Sequence, residues 1–597
     1  MARRRRNIPQ QSTTSTKQLH EVDDRIASIT QLWTLSRATL LLLTPILAST
    51  ILQVAPKYVE PIYGNVFSTL YFPEMSIGCL VGGAVLGVLF AVQAQKKAAM
   101  NRLLAEAVIT AVDRCGIIFA SAPILTRILF NQSGLLGPYI GPQFTQSVLG
   151  YPVMFLLGFV NAIVCARRNI EIRTIPTVRW ISYVATYTIT IVTLTYVLYN
   201  VMAMGKNCQR LYLCGTLLGV IGGLFKSLLA LYGEVTLLDD SGQRKRIHLS
   251  AQTCMQNIGL KMFPQVLIVL LALYNVRFIP QCHNGLIQDV TVEKSTYSII
   301  ARKESITGWI DIVDIFRETP RLELRLMRAG HSFIGGVYKE SWDSVYGSFY
   351  FMEAVRLVEE RALEGNPTAL QIGLGIGVSA ASLQNANITL DIVELDPAVY
   401  EYAIDYFKLE KKHNIYIQDG RRFIENAPSR KYNYVLHDVF TGGSVPSSLF
   451  STKALEQIKR IMKDDGILAL NFVGSQLWPY AEALALVYNT IRATFPYVKC
   501  VNEGWHETEV FTNMAFFASS KPIRFRDASE MDFFGSATRE YILKNFQSWF
   551  IQLDKFANVT DIITEDNNPL DKLQLPTALE HWKIMRSSFP LEFWINY

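Results

Sequence analysis

The stretch Ala369-Leu-Gln-Ile-Gly-Leu-Gly-Ile-Gly-Val378 decides the fold of this chain. Leu370 to Ile372 read as a short buried strand, and Gly373, Gly375 and Gly377, at every second position, open a helix. Ile392 to Glu394 form a second apolar strand that ends on an acid about 20 residues further on, the spacing of a nucleoside-binding strand–helix–strand unit. Glycine lets the backbone turn tightly and lets a ligand approach where a Cβ would clash. Glu394, at the tip of the second strand, is placed to accept hydrogen bonds from both ribose hydroxyls of a nucleoside.

The spacing narrows the ligand. A dinucleotide fingerprint wants glycine at the first, third and sixth positions, and the sixth position here is Val378. With glycine at the first, third and fifth positions the loop resembles that of class I S-adenosylmethionine enzymes, which bind a sulfonium nucleoside with no pyrophosphate. NAD is the weaker reading.

Around this loop the pattern alternates as a parallel sheet requires. Strands are expected at 369–373, 389–394, 414–418, 432–438 and 466–472, with helices at 377–385, 397–407, 420–426, 451–463 and 478–494. Asp396 before Pro397 suits an N-cap and a first helical turn. Strands near 498–502 and 510–519 have no helix between them and read as an antiparallel closing hairpin. A helix is expected over 348–363, and before it Tyr297–Lys303, Gly308–Asp314, Leu322–Ala329 and Ser332–Val337 form a small antiparallel unit. Further acids fall at strand ends, where open α/β sheets bind ligands. Asp419, followed by Gly420, suits the adenine amino group; Asp438 points at the reacting end. The loop Thr441-Gly-Gly-Ser-Val-Pro446 after it reads as a mobile cover. His437 reads as structural.

The run Tyr434 to Asn471, with Asp438, Phe440, Gly442, Gly443, Pro446, Leu449, Thr452 and Asp465-Gly466, resembles the spermidine synthase superfamily, as does the β-rich unit before the glycine loop. The resemblance covers about 296–520. It implies a class I methyltransferase-type sheet and a cofactor that is S-adenosylmethionine or its decarboxylated form. Glu394 would then hold the ribose, Asp419 the adenine and Asp438 the reacting end. The departures bear on the acceptor. Aminopropyltransferases of the family place an aspartate where this chain has Ile376, and a second acid where it has Thr441; their tyrosine-histidine-glutamate signature is not matched around Val345-Tyr-Gly-Ser-Phe349. A polyamine needs paired carboxylates, whereas methyl transfer needs in-line positioning of a nucleophile.

The front half is different in kind. Half of the 597 residues are hydrophobic, mean hydropathy is +0.19, and the excess lies before residue 280. Apolar runs of spanning length occur at about 36–55, 75–94, 107–130, 144–165, 181–203, 213–232 and 262–278. The third carries Asp113, Arg114 and Arg127, and the sixth Lys226, charges that read as snorkelling or as a buried pair. Gly83 with Gly87, and Gly215, Gly219 and Gly223, suit close helix packing in lipid. Lysine and arginine cluster at Arg3 to Arg6, at Lys96, Lys97 and Arg102, at Arg167, Arg168, Arg173 and Arg179, and at Arg244, Lys245 and Arg246; the intervening loops are poorer. This puts the N-terminus in the cytosol. Seven spans would place the C-terminal domain on the far side, against cofactor supply, since S-adenosylmethionine is made in the cytosol. Six would not, and the charged third run is then the false one.

The expected organisation is a cytosolic basic tail (1–33), a helical membrane bundle of six or seven spans (34–279), a small β-unit (286–340), a Rossmann-like, doubly wound α/β catalytic domain (341–520) and a helical extension (521–597). The expected partners are the lipid bilayer and a small-molecule amine or protein acceptor, with room for an oligomer. A net charge of +6 is too modest to indicate nucleic acid. The expected location is a multi-pass endomembrane rather than the plasma membrane, with the side of the C-terminal domain open. The eight cysteines show no metal-type spacing; Cys208, Cys214 and Cys282 would share one side if all seven spans exist, a disposition open to a disulfide. Sequons stand at Asn131, Asn387 and Asn558. Three functions fit these features: a membrane-anchored methyltransferase, a polyamine aminopropyltransferase, and a non-catalytic nucleoside-sensing membrane protein.

Overall fold

The computed structural model describes residues 41, 43–94, 100–170, 237–238, 244–245, 263–278, 289–292, 295–317, 323–359, 366–440, 442–503, 510–556 and 561–595. The basic tail, the spans expected at 181–203 and 213–232, Lys226, Cys208, Cys214, Cys282, Thr441 and Asn558 lie outside the described residues.

Alternating apolar residues build the seven-stranded mixed sheet that carries the glycine loop. Its strands are β6 (Thr368–Ile372), β7 (Thr389–Glu394), β8 (Asn414–Ile417), β9 (Tyr432–His437), β10 (Met462–Gly474), β11 (Tyr497–Asn502) and β12 (Thr512–Ser519), in the order β8-β7-β6-β9-β10-β12-β11. The first five run parallel, and β12 lies antiparallel between β10 and β11, the closing hairpin expected from the missing helix. Leu370 and Ile372 of β6 bury into one face with Leu455, Ile458 and Leu484 of the helices Thr452–Ile461 and Ala481–Thr494. Ala369 buries into the other face with Ala380 and Leu383 of Val378–Asn385. Asp396 caps the helix Pro397–Phe407, accepting from Ala398 N at 2.9 Å.

Before this sheet stands an antiparallel meander of β1 (Asp289–Val292), β2 (Ser295–Ser305), β3 (Gly308–Arg317), β4 (Leu324–Ala329) and β5 (Ser332–Tyr338). The helix expected over 348–363 is interrupted. Phe349–Met352 tightens into a 3₁₀ turn, Glu353–Leu357, and Val358 leaves it to bridge Phe525. Backbone bonds from Arg526 N to Leu357 O (2.8 Å) and from Glu359 N to Arg524 O (2.9 Å) take the chain out of helical geometry there.

Apart from a short antiparallel pair, Leu237–Leu238 with Arg244–Lys245, the front half is helical where described: 43–63, Asn65–Thr69, Phe72–Ala94, Met100–Phe130, Ser133–Val148, Gly150–Ile170 and Phe263–Phe278. Asn65–Gln93 and Ala107–Phe130 are long and apolar enough to cross a membrane, and Ser133–Val148 with Gly150–Cys165, bent by 41°, would make a third. The charged third run is thus one of the two that qualify, and its Asp113 is buried.

The two halves meet through the C-terminal extension. Trp582 Nε1 donates to Ile62 O at 2.9 Å, His331 Nδ1 to Pro61 O at 3.0 Å and Arg586 to Ser133 Oγ at 3.1 Å. Tyr63 and Phe130 of the helical half bury in one cluster with Tyr297 and Phe333 of the meander and Phe593 and Trp594 of the tail. Asp311 of β3, buried with Arg302 and Arg328, anchors this joint, because Arg328 also donates to Phe593 O at 3.3 Å.

Inside the helical half Gly83 stands at a close helix–helix contact, while Gly215, Gly219 and Gly223 lie outside the described residues. A Cβ added at Gly83 would lie 1.9 Å from Phe155 O, and one at Gly158 2.0 Å from Leu80 O, so Phe72–Ala94 and Gly150–Ile170 touch backbone to backbone. Gly83→Leu should therefore cost at least about 1–3 kcal/mol of overpacking, whereas Gly78→Leu, which points into open space, should cost little. Thermal denaturation of the detergent-purified variants checks this; equal midpoints for the two would contradict the packing.

Candidate active site

The strand order reverses between β6 and β9: the chain leaves β6 for β7 and β8 on one side, then crosses back to β9 on the other. Ligands of open α/β sheets bind outside the carboxyl ends of strands at such a point. A cavity of about 1260 Å³ opens there. A typical ligand pocket is roughly 300–1,000 Å³, so it has room for a nucleoside cofactor and a second reactant.

The cofactor end is made of the predicted residues. Gly373 has φ +81°, and a Cβ on it would lie 1.9 Å from Asp438 O; Gly375 has φ +56°, with Ile334 O of β5 2.8 Å from where a Cβ would sit. Gly377 caps the helix Val378–Asn385 in left-handed geometry. Glu394 is buried at the tip of β7, one oxygen accepting from Leu374 N (2.9 Å) and the other from Asp396 N (2.8 Å). Burial pushes its pKa up to about 7, against the two backbone bonds that favour the carboxylate. Asp419 caps the helix Gly420–Asn426, accepting from Arg422 N at 2.9 Å, and stays exposed to the cavity beside Gly420. The structure therefore brings Gly373, Gly375, Glu394, Asp419, Gly420 and Asp438 to one cavity; Gly377 acts one step back, at the helix start.

Asp438 follows β9, its backbone N donating to Ile372 O at 2.8 Å. Its Oδ1 accepts from Asn471 Nδ2 at 2.8 Å. The protein surrounding it pushes its pKa up to about 6, although the Asn471 bond pulls the other way. His437 is fully buried against Phe450 on the opposite face, and burial lowers its pKa to about 4, which agrees with a structural role.

Several lining residues had no local signal in the sequence. Gln371 of β6 is 1% exposed and lines the cavity, yet its Oε1 has no hydrogen-bond partner among the described residues. An orphaned buried acceptor of this kind fits a ligand with N–H groups at the cofactor end. Glu503, bonded to Asn513 at 2.6 Å, and Tyr346 line the wall from the hairpin and the meander side. Glu60 and Asn65 of the helical half and Glu580 and His581 of the extension close the outer part. The loop after Asp438 is not the free cover expected from its glycines. Val445 N donates to Gln574 Oε1 (2.7 Å), Gln574 Nε2 returns a bond to Val445 O (3.2 Å), and Gly443 is held so close to Ala578 that a Cβ would lie 2.5 Å from its Cα. The helix Leu575–Ser588 thus straps the loop down.

Comparison with known proteins agrees with this architecture. Residues 359–502 match the family described as "Spermine/spermidine synthase domain". The chain is 29% identical over 508 residues to an N-terminal histidine N-methyltransferase of Emericella nidulans, covering 79% of this chain and 84% of that one. It is 33% identical over 121 residues to a polyamine aminopropyltransferase of Vibrio vulnificus, covering 19% of this chain and 40% of the relative. Among solved structures, a probable spermidine synthase of Corynebacterium glutamicum matches 47% of this chain and 97% of its own, at 14% identity and a TM-score of 0.33. Methyltransferases and aminopropyltransferases both transfer alkyl groups, and the chain is a transferase with a methyltransferase-like α/β fold in which residues 359–502 are similar to the spermine/spermidine synthase domain.

Losing the bonds from both ribose hydroxyls to Glu394 should cost about 2–4 kcal/mol, at roughly 1–2 per bond. Glu394→Ala is therefore expected to weaken binding of the nucleoside cofactor by about one and a half to three orders of magnitude. Calorimetry on the purified protein measures this, and an unchanged affinity in a variant that still melts cooperatively would remove Glu394 from the site.

Proposed function

We propose that the protein is a membrane-anchored, S-adenosylmethionine-dependent methyltransferase whose acceptor is the amino-terminal histidine of a protein. The reaction class and cofactor follow from the relatives; the histidine acceptor is carried over from the Emericella protein, whose alignment is long enough to include helical residues as well as the catalytic unit. When bound, the cofactor supplies an electrophilic methyl group on a sulfonium.

One observation separates methyl from aminopropyl transfer. Ile376, where aminopropyltransferases of the resembled family carry an aspartate, is 4% exposed and packs with Ile310, Ile312 and Met327 of the meander, at the Cα of Gly335. Ile376 also lines the cavity, so the position where a polyamine would need an acid presents an apolar surface instead.

The residues present divide the remaining work. Glu394, Asp419 and the turn at Gly373 and Gly375 would hold the nucleoside, and Gln371 would accept from an N–H donor at its other end. Asn471 fixes the Asp438 carboxylate at 2.8 Å. Asp438 takes the proton from the acceptor's nitrogen or holds that nitrogen by a hydrogen bond, since a protonated amine has no lone pair with which to attack. Its raised pKa makes it a better base than an exposed aspartate. The strapped loop at 442–446 excludes water from this end.

The sign of the pH dependence follows. Asp438 works as a carboxylate, so kcat/KM should fall as pH drops through about 6, and Asp438→Asn should lose this limb together with roughly 10²–10⁴-fold in rate. The assay uses the full chain in detergent with S-adenosylmethionine and a peptide beginning in histidine, read by mass spectrometry as the gain of a methyl group. Two results would refute the reading: methylation undiminished in Asp438→Asn, or efficient spermidine formation from putrescine and decarboxylated cofactor with no peptide methylation.

A further inference from the structure

We infer that the catalytic unit stands on the non-cytosolic side of the membrane, and that Asn387 there is an acceptor for an N-linked glycan. This rests on the membrane reading of the helical half given above. The structure shows which helix ends meet the catalytic unit. Residues 43–63 end against it, where Lys57 Nζ donates to Ile306 O at 3.0 Å and Pro61 and Ile62 receive bonds from His331 and Trp582. Phe72–Ala94 begins at that end, where Gln143 donates to Leu70 O at 2.6 Å. Met100–Phe130 returns to it, Phe130 burying beside Trp594, and Gly150–Ile170 departs from it again. Phe263–Phe278 leads back into the meander.

The charges sort onto the opposite ends. The connections on the catalytic side carry Lys57 between 55 and 71, and no lysine or arginine between 131 and 149; on the seven-span reading the segment between the runs at 181–203 and 213–232 would add Lys206 and Arg210. The sequence joining the other ends of the described helices carries Lys96, Lys97 and Arg102, then Arg167, Arg168, Arg173 and Arg179, while Arg3 to Arg6 precede the first run and Arg244, Lys245 and Arg246 follow the sixth. Short loops rich in lysine and arginine stay in the cytosol, so the catalytic side is the other one. The proposed acceptor agrees independently. Translation starts at methionine, so an amino-terminal histidine arises only when a leading segment is removed, as signal-peptide cleavage does to translocated proteins.

Asn387-Ile-Thr389 is then a sequon on the glycan-bearing side. Asn387 and Thr389 are exposed in the turn between Val378–Asn385 and β7. This turn lies at the end of the sheet away from the cavity, so a glycan there leaves the site open. Of the other sequons, the one at Asn131 has its Ser133 buried and bonded to Arg586. Attachment forms one bond, from Asn387 Nδ2 to the anomeric carbon of the first sugar. It breaks the bond from that carbon to a phosphate oxygen of a lipid-pyrophosphate-linked oligosaccharide. The pyrophosphate leaves with the electron pair and the amide loses one proton.

The test uses the full chain with a C-terminal epitope, expressed in eukaryotic cells and recovered in sealed microsomal vesicles. Resistance of the chain to carbonate extraction checks the membrane reading by itself. The epitope should survive external protease until detergent is added. The chain should also shift on endoglycosidase treatment, and Asn387→Gln should abolish the shift while keeping protection. Digestion of the epitope in sealed vesicles overturns the orientation; protection without a glycosidase shift overturns Asn387 as the acceptor; release by carbonate overturns the membrane reading instead.

Discussion

The contact on which the site depends is the close approach of Gly373 to the carbonyl of Asp438, where a Cβ would intrude to 1.9 Å. It joins the two strands that part at the switch point, β6 and β9, through the bond from Asp438 N to Ile372 O. The same contact sets the distance between the loop that would hold a nucleoside and the acid at the reacting end. Any side chain at position 373 would push these apart, and with φ at +81° would itself be strained. One glycine therefore fixes both where the glycine loop turns and where Asp438 stands.

A second constraint is imposed from outside the sheet. The outer part of the cavity is walled by the joint between the first helices, the meander and the C-terminal extension. Burial of Tyr63, Phe130, Phe593 and Trp594 in a single cluster means that these parts cannot separate without exposing a large aromatic surface. The strap on residues 442–446 leaves from the same helix that donates Trp582 to Ile62 O. The turn at Pro61 and Ile62 and the cover over Asp438 are thus two attachments of one rigid element. Their positions are coupled by packing rather than by the flexibility of the glycines in the loop.

This explains what the sequence showed and what it hid. The strand–helix alternation from 368 to 494 was legible because each element is decided locally, by period and by caps such as Asp396 with Pro397. The three acids were legible because strand ends are where such sheets bind. The expected helix at 348–363 failed because its apolar residues serve a different end: Leu357 and Val358 are claimed by Arg526 and Phe525, far along the chain. Trp582 and Ile62 are 520 positions apart, and nothing near either residue announces the other. Gln371 and Asn471 were hidden for a related reason, since a polar residue inside an apolar strand acquires its meaning only when the cavity beside it is known.

The helical half shows the same division. Composition located the apolar runs, and charge set their direction relative to one another, but neither could say which end holds the catalytic unit. The charged third run looked like the span to discard, which would have kept the unit in the cytosol. In the structure it is a continuous helix, Met100–Phe130, with Asp113 buried in the bundle and its end at Phe130 packed against the tail. Keeping it returns the chain to the catalytic end at residue 130, where the connecting segments have little positive charge. On the orientation inferred above, the cofactor, made in the cytosol, would have to reach the far side, and the site would meet translocated chains whose first residue is set by cleavage. Under the proposed function the acceptor's free amino terminus has to reach Asp438 within this cavity. The strap over 442–446 covers the end at Asp438, and Glu60 and Glu580 stand at the outer wall of the same cavity.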